Sequence, residues 1–240
     1  MSAVAQLWAV LKRELAAYFL SPMSYLVWAV FLVAAGYLFA TGVRDGGAAS
    51  MSGAFTNMGL LLLFVAPLLT MRLIAEELKL GTLEILLTDP VGDATVIVGK
   101  YLASVVFFGA MLSPTLAFPA ILAALGQPDP GPVVAGYLGL VLLGGLFLAI
   151  GVLTSAATAN QIAAAAPSFT VILISWGMGR AADSAGPGRL RDALDYVSAF
   201  SRYDAFRHGL VDTRSVVYFA TVAAFALMAA TRALGLRRLR

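Results

Sequence analysis

The chain has 240 residues, of which 60% are hydrophobic and only 12% are charged. Soluble domains carry roughly 25% charged residues, so this composition indicates lipid rather than water as the solvent. No cysteine is present, which excludes disulfides, thiolate metal sites and cysteine nucleophiles. The net charge of +3 comes from basic residues scattered among loops and ends. Nucleic-acid binding requires a clustered basic face, so that class of function is excluded too.

Residues 4–19 have the pattern of an amphipathic helix. Lys12, Arg13 and Glu14 lie off its apolar arc. Ser21-Pro22 then breaks the helix before the first apolar stretch. We therefore expect an interfacial helix at the membrane surface, with the start of a longer first helix as the alternative. The apolar arc, at 3.6 residues per turn, consists of Val4, Leu7, Trp8, Leu11, Leu15, Tyr18 and Phe19.

Six apolar stretches follow, each close to the 20 or so residues that a helix needs to cross a bilayer. They cover residues 24–43, 55–73, 99–125, 133–154, 162–179 and 215–234. None has a charged side chain in its middle. Intramembrane charges usually mark ion pathways, so the pattern argues against a proton-coupled transporter or a charged channel filter. It predicts an all-α, polytopic membrane protein.

Prolines and glycines within these stretches predict how the spans pack. Pro114 and Pro119 predict a kink in the third span, and Pro167 predicts one in the fifth. The fourth span is dense in small residues, which let helix backbones approach closely in lipid. We expect close packing within the subunit, with a dimer interface as the alternative. The small residues are Gly136, Gly139, Gly144, Gly145, Ala149 and Gly151.

The distribution of basic residues predicts the orientation. Six spans place both termini on one side of the membrane, and nine of the basic residues fall on that side against seven on the other. The positive-inside rule therefore favours cytoplasmic termini. The nine are Lys12, Arg13, Arg72, Lys79, Lys100, Arg232, Arg237, Arg238 and Arg240; the seven are Arg44 and the six arginines of residues 180–214.

The loop after the second span, residues 74–92, is the most informative segment. Glu76, Glu77 and Lys79 predict that the second span continues as a helix into water, until Gly81 interrupts it. Residues 82–88 then form a short apolar helix that ends at Asp89-Pro90, and Asp93 caps the next helix. An exposed apolar helix must bury its face. The pattern leaves open whether it folds back on its own bundle or docks into a partner.

The loop between the fifth and sixth spans, residues 180–214, alternates charged residues with apolar and aromatic ones. Spacings near three and four predict one or two short amphipathic helices at the opposite side of the membrane. We interpret them as plain surface helices, with a lid over the bundle as the alternative.

Motifs of bond-breaking chemistry are absent from the sequence. It contains no G-x-x-x-x-G-K-[ST] phosphate loop, no H-E-x-x-H and no G-x-S-x-G. The single histidine, His208, is interpreted as an ordinary interfacial residue, because metal sites need two or more convergent ligands. Glu76, Glu77 and Glu84 look superficially like paired carboxylates, but surface charge and loop pairing explain them better. We expect no catalytic residues, no metal site and no cofactor in this chain.

Residues 76–90 resemble the E-E-x-x-x-G-T-x-E-x-L-L-x-x-P signature of ABC-2-type transporter permeases. Four shorter segments are weaker parts of the same resemblance, which is closest to the gliding-motility-associated branch. They are Lys12-Arg13-Glu14-Leu15 followed by Ser21-Pro22, the Thr158-Ala159-Asn160-Gln161 turn, Gly209-Leu210-Val211-Asp212, and Val217-Tyr218-Phe219. The sequence departs from the pattern at Leu78, Leu80, Ala159 and His208.

This resemblance implies one transmembrane domain over residues 1–240, with the fold of an ABC-2 (type V) exporter and cytoplasmic termini in a bacterial inner membrane. Two permease copies, as a homodimer or a heterodimer, would pair with two ATP-binding subunits that hold ATP and Mg. The loop would act as a coupling helix that seats in the ATPase. Its expected ATPase-coupling residues are Glu76, Glu77, Gly81, Thr82, Glu84, Leu86 and Pro90.

The resulting hypothesis is the permease subunit of an ATP-driven exporter, which moves a substrate or performs work on an extracytoplasmic partner. A lipid-like cargo fits the uncharged spans better than an ion. The alternative is a membrane-embedded structural or assembly protein without a transport cycle. An intramembrane enzyme is a third reading, but the spans lack paired catalytic groups.

Overall fold

The computed structural model describes residues 2–46, 50–81, 92–126 and 129–238, and within these ranges the chain forms helices and turns, with no strand. In the described ranges, six helical stretches are long and apolar enough to cross a membrane, namely Pro22–Arg44, Ser52–Leu80, Asp93–Leu125, Pro130–Ala157, Gln161–Ser184 and Thr213–Leu236. A 3-10 turn at Ser113–Leu116 interrupts the third of them. The predicted all-α, six-span fold is confirmed. The α-helices are α1 (Ala3–Leu20), α2 (Pro22–Gly46), α3 (Ser52–Thr70), α4 (Ala75–Leu80), α5 (Asp93–Leu112), α6 (Ala117–Leu125), α7 (Pro130–Ala157), α8 (Gln161–Ser184), α9 (Arg189–Val197), α10 (Ala199–Arg207) and α11 (Thr213–Arg238).

Helix α7 lies at the centre of the bundle and contacts α3, α5, α8, α10 and α11. Its glycines allow this. Gly136 packs against Phe55, Gly144 against Phe108 and Gly151 against Thr70, so closely that none of the three positions has room for a Cβ. Small residues therefore bring large neighbours against the α7 backbone. This confirms the prediction of close packing within the subunit.

Helix α1 is separate from the first span. Ser21 between α1 and α2 has an extended backbone, with φ −85° and ψ 120°, and its N–H bonds to the carbonyl of Tyr18. Pro22 then begins α2, a position where a missing N–H costs a helix nothing. Helix α1 packs along α5, with Val10 against Gly99. The alternative of one continuous first helix is wrong.

The prolines act differently in the third and fifth spans. In the third span, Pro114 lies in the 3-10 turn that interrupts the α-helix, so the regular helix is broken at the position where the kink is predicted. In the fifth span, Pro167 lies inside α8, which remains α-helical from Gln161 to Ser184.

The segment after the second span differs from the prediction of one continuous helix. Helix α3 ends at Thr70, residues 71–74 form a turn, and α4 begins at Ala75. The cause is Ser155 of α7, whose hydroxyl accepts from the N–H groups of both Ile74 and Ala75, each at 3.1 Å. It also donates to the carbonyl of Met71 at 3.2 Å. A side chain from another helix thus satisfies the backbone groups that the turn leaves unpaired.

Two predictions about the ends of this loop have different outcomes. Gly81 ends α4 with φ 70°, a left-handed conformation that favours glycine, so the predicted interruption is confirmed. The predicted cap at Asp93 is wrong. Gly92 occupies the cap position, and Asp93 is the first residue of α5, where the helix dipole stabilises a negative charge.

The two ends of the bundle carry different short helices. Asp93 at the start of α5 lies beside Gly235 near the end of α11, and Val10 of α1 is close by against Gly99. We call this end, which carries α1, α4 and the described end of α11, the terminal end. The other, called the distal end, carries α9 and α10.

Helices α9 and α10 confirm the two short helices predicted for residues 180–214, but only α9 is a plain surface helix. It has no buried residue. In α10, Ala199, Tyr203 and Phe206 are fully buried, because this helix packs against α7, α8 and α3. The interpretation as a plain surface helix is therefore wrong for α10. Its aromatic residues fill space that Gly59 and Gly139 leave beside them.

Candidate functional site

Four charged side chains from three helices meet at the terminal end, and we call them the charged cluster: Arg13, Glu14, Glu77 and Lys100. The Lys100 Nζ lies 3.0 Å from Glu14 Oε1 and 3.0 Å from Glu77 Oε1. The Arg13 Nη2 lies 2.9 Å from the same Glu14 oxygen and 3.0 Å from the same Glu77 oxygen. Each cation therefore bridges both carboxylates.

The four side chains of the charged cluster differ strongly in burial. The side chain of Lys100 is 1% exposed and that of Glu14 is 9%, whereas Glu77 is 23% and Arg13 is 51% exposed. A buried charge is tolerated only when it is paired, and here two cations balance two carboxylates. Burial lowers the pKa of Arg13, but its hydrogen bond with Glu14 and the charges of Glu14 and Glu77 outweigh this and raise that pKa above its ordinary value.

Helix α1 is fixed beside the charged cluster by Tyr18, one turn after Glu14. The Tyr18 hydroxyl donates to the carbonyl of Leu69 in α3 at 2.9 Å, and its ring stacks on Phe107 of α5 at 4.8 Å. Burial, and secondarily the charge of Glu14, raises the pKa of Tyr18, so the phenol stays a neutral donor. One residue thus joins α1 to both the second and third spans.

The two adjacent glutamates of α4 have different surroundings. Glu77 belongs to the charged cluster, whereas Glu76 is half-exposed and lies 3.8 Å from Arg72. Exposed pairs of this kind contribute little to stability. The interpretation of these glutamates as paired charges therefore fits the structure, with the qualification that one pair is buried and the other superficial.

The structure brings together only part of the predicted coupling site. Glu76, Glu77 and Gly81 lie on or directly after α4, the last described element before residues 82–91. Thr82, Glu84, Leu86 and Pro90 lie outside the described residues. The ATPase-coupling role of all seven stays a prediction.

Sequence reasoning missed the role of Lys100. It counted that residue only for orientation, and it gave Arg13 a place in the N-terminal helix and in the resemblance but no ion-pair partner. Lys100 lies seven residues after the first residue of α5, or about 10 Å along the helix axis at 1.5 Å per residue. A lysine at that depth in an apolar helix needs a partner, which is the signal that could have identified it. Its partners, Glu14 and Glu77, are far apart in sequence, so pattern alone could not supply them.

A groove of about 350 Å³ lies beside the charged cluster. Lys100, Glu77 and Arg72 form part of its polar wall, and Val27 and Leu68 part of its apolar wall. In the described ranges no group of three or more His, Cys, Asp or Glu residues could hold a metal ion. The charged cluster beside this groove joins α1, α4 and α5 through ion pairs.

Comparison with known proteins identifies the family. The model of the ABC-2 family transporter protein matches residues 38–237, which include Glu77 and Lys100 but not Arg13 or Glu14. None of the curated proteins compared with the chain is similar to it. Membership in this family makes the chain a membrane permease subunit, which implies dimerisation and partnership with a separate ATP-binding subunit that carries the ATPase activity. The chain belongs to the ABC-2 transporter family.

Proposed function

We propose that this permease transmits ATP-driven motion of its ATP-binding subunits to the membrane spans through the charged cluster. Residues 1–240 act as one transmembrane domain, and two ATP-binding subunits hold ATP and Mg. The expected contacts with the ATPase are Glu76, Glu77, Gly81, Thr82, Glu84, Leu86 and Pro90.

The observation that supports this proposal most is the position of Glu77. It lies on α4, which leads directly into residues 82–91, and it is ion-paired with Lys100 of α5 and Arg13 of α1. A displacement of α4 therefore pulls on the third span and on the N-terminal helix together. Ser155 holds the start of α4 to α7, which gives the same displacement a route to the centre of the bundle. This is the rigid-body type of transition that packed helices undergo.

Cytoplasmic termini and a bacterial inner membrane follow from the same proposal. Helix α4, which precedes the coupling loop in the chain, lies at the terminal end with α1 and the described end of α11, and the ATP-binding subunits must reach that loop from the cytoplasm. The excess of basic residues at the terminal end supports this orientation. A hydrophobic or lipid-like cargo, or work on an extracytoplasmic partner, fits spans that lack charges in their middle.

Glu77 and Lys79 of α4 offer a pair of variants for the test. We would purify the tagged permease in mild detergent with its copurifying ATP-binding subunit and measure ATP hydrolysis. Glu77→Gln keeps the shape of the side chain but removes a charge from the charged cluster, whereas Lys79→Gln removes a charge two residues away, at an exposed position outside both the cluster and the expected ATPase contacts. We expect at least a fivefold loss of permease-dependent ATPase activity for Glu77→Gln, and less than a twofold loss for Lys79→Gln, roughly as the energies of buried and exposed ion pairs differ.

Three outcomes separate the alternatives. Equal activities of Glu77→Gln and Lys79→Gln would remove the charged cluster from the proposal. A Glu84→Ala, Leu86→Ala double variant should lose the ATP-binding subunit itself if the loop docks into it. Absence of any copurifying ATP-binding subunit would instead favour the membrane-embedded structural or assembly protein.

A further inference from the structure

A second groove, of about 440 Å³, lies at the distal end, where α9 and α10 meet the start of α11. Two arginines, Arg202 and Arg214, and two tyrosines, Tyr196 and Tyr218, line it together with Thr213 and Thr221. No carboxylate is among the described residues that line it. This groove is distinct from the charged cluster, which lies at the terminal end.

The two arginines of the groove make no ion pair in the described part of the chain. Neither Arg202 nor Arg214 lies within ion-pair distance of a carboxylate there. The Asp212 carboxylate accepts a hydrogen bond from the backbone N–H of Arg214, at 3.0 Å, and not from its guanidinium. The Arg202 guanidinium instead lies over the ring of Tyr196, 4.8 Å from its centroid, and 5.7 Å from that of Tyr218. Its Nε is buried and makes no hydrogen bond. A buried donor of this kind costs free energy until an acceptor reaches it.

Acidic residues lie nearby, but they line a different groove. Asp192 and Asp195 border a smaller space of about 330 Å³, which shares Arg202 and Tyr196 with the first. Asp195 accepts a hydrogen bond from Ser201 at 3.0 Å and lies 3.9 Å from Arg191. Asp195 thus already has a hydrogen-bond partner and an ion-pair partner, and it does not neutralise Arg202 in the groove that α11 lines.

An apolar stripe continues from this groove along α11 towards the terminal end. Val217, which lines the groove, is 53% exposed, and Phe225 and Met228 further along are 68% and 61% exposed. With Thr221 between them, their spacings of four, four and three residues place them on one helix face. A basic pocket at the end of a span, above an apolar face, has the shape of a lipid: polar at one end and hydrocarbon at the other.

We infer that the distal groove binds the phosphate headgroup of an anionic phospholipid, with an acyl chain along the Val217–Met228 face of α11. Guanidinium groups bind phosphate oxygens through strong, charge-assisted hydrogen bonds. The rings of Tyr196 and Tyr218 are already engaged by Arg202, and no carboxylate lines the groove, so a choline or ethanolamine group finds no partner there. The site therefore prefers phosphatidylglycerol to phosphatidylcholine. This inference does not depend on ATP-driven coupling.

Native mass spectrometry of the purified full-length chain tests the inference directly. The dissociation constant for the first bound lipid is measured with dioleoylphosphatidylglycerol, with dioleoylphosphatidylcholine, and with inorganic phosphate as competitor. We expect Arg202→Gln with Arg214→Gln to weaken phosphatidylglycerol binding by about tenfold or more, as the loss of charge-assisted hydrogen bonds predicts. The matched control, Arg180→Gln with Arg189→Gln, removes two exposed charges from the same end outside the groove and should change binding less than twofold.

A single substitution keeps the test informative even if the double variant does not fold. Arg214 is exposed, so Arg214→Gln leaves the packing of Arg202 intact and should weaken binding by roughly threefold or more. Unchanged binding in Arg214→Gln and in any folded double variant would overturn the site. Equal loss in the matched control would reduce it to general surface charge. Equal affinity for the two lipids, or full competition by millimolar phosphate, would overturn the assignment to an anionic lipid.

Discussion

The two ends of the bundle differ in what holds their short helices in place. At the terminal end, α1 and α4 are tied to α5 by four ionised side chains around the buried Lys100. At the distal end, α10 is held by the buried Tyr203 and Phe206, and Arg207 is paired with Asp204 of the same helix. Close-packed apolar contacts resist gradual deformation, whereas charges that move as a group can keep their partners. We therefore expect the rearrangement proposed for this permease to occur at the terminal end.

Lys100→Met carries the largest expected effect. It leaves Glu14 and Glu77 without their buried cation, and removing one partner of a buried ion pair costs about 3–5 kcal/mol. Denaturant unfolding in detergent micelles measures this loss as a decrease in the free energy of unfolding. Lys79→Met is the control, because Lys79 is exposed on α4. Equal effects of the two variants would mean that the terminal end is held by apolar packing after all.

Gly151→Ala tests whether the terminal end tolerates added volume. The new Cβ would overlap Thr70, which is fully buried and bonded to the carbonyl of Ala66. Overpacking of this kind costs about 1–3 kcal/mol. Gly177→Ala in α8 has nothing within 4 Å of the new Cβ and should leave the same unfolding free energy unchanged or slightly raised. A neutral result for Gly151→Ala would show that α3 and α7 separate easily at this end.

Tyr203→Phe tests whether packing or hydrogen bonding holds α10 at the distal end. The Tyr203 hydroxyl donates to the carbonyl of Phe55 at 2.9 Å, and the loss of one such hydrogen bond costs about 1 kcal/mol. The ring keeps its apolar contacts, so the free energy of unfolding in micelles should fall only slightly. Tyr37→Phe, at a position that is 69% exposed, should have no effect. A loss as large as that of Lys100→Met would show that hydrogen bonding rather than packing fixes α10.

Arg13→Gln carries the smallest expected effect. Its side chain is half-exposed, and ion pairs in such positions contribute between zero and about 1 kcal/mol. Lys100 still bridges Glu14 and Glu77 in this variant, so the charged cluster keeps its buried cation. Lys12→Gln, on the exposed side of α1, provides the comparison in the same unfolding measurement. A loss above 2 kcal/mol, beyond the usual range of exposed pairs, would place Arg13 at the centre of the cluster.

The sequence predicted the spans, the separate α1, the interruption at Gly81 and the two distal helices. These features depend on local patterns: long apolar stretches, Ser21-Pro22, a glycine after a short helix, and spacings of three and four. The same patterns wrongly extended the second span into α4. The break there depends on Ser155, which lies more than 80 residues away in the chain, so no local pattern could reveal it.

The candidate site divides in the same way. The resemblance singled out Glu77 by its place in a motif, but its partners Arg13 and Lys100 come from helices that only the fold brings beside it. The sequence by itself determined the solvent and the number of spans, because hydrophobicity and helix length are properties of contiguous residues. Only the tertiary structure decided that Lys100 is neutralised by Glu14 and Glu77, and that Arg202 and Arg214 meet in one groove. Burial and charge pairing join residues distant in sequence, and their energies depend on distance in space.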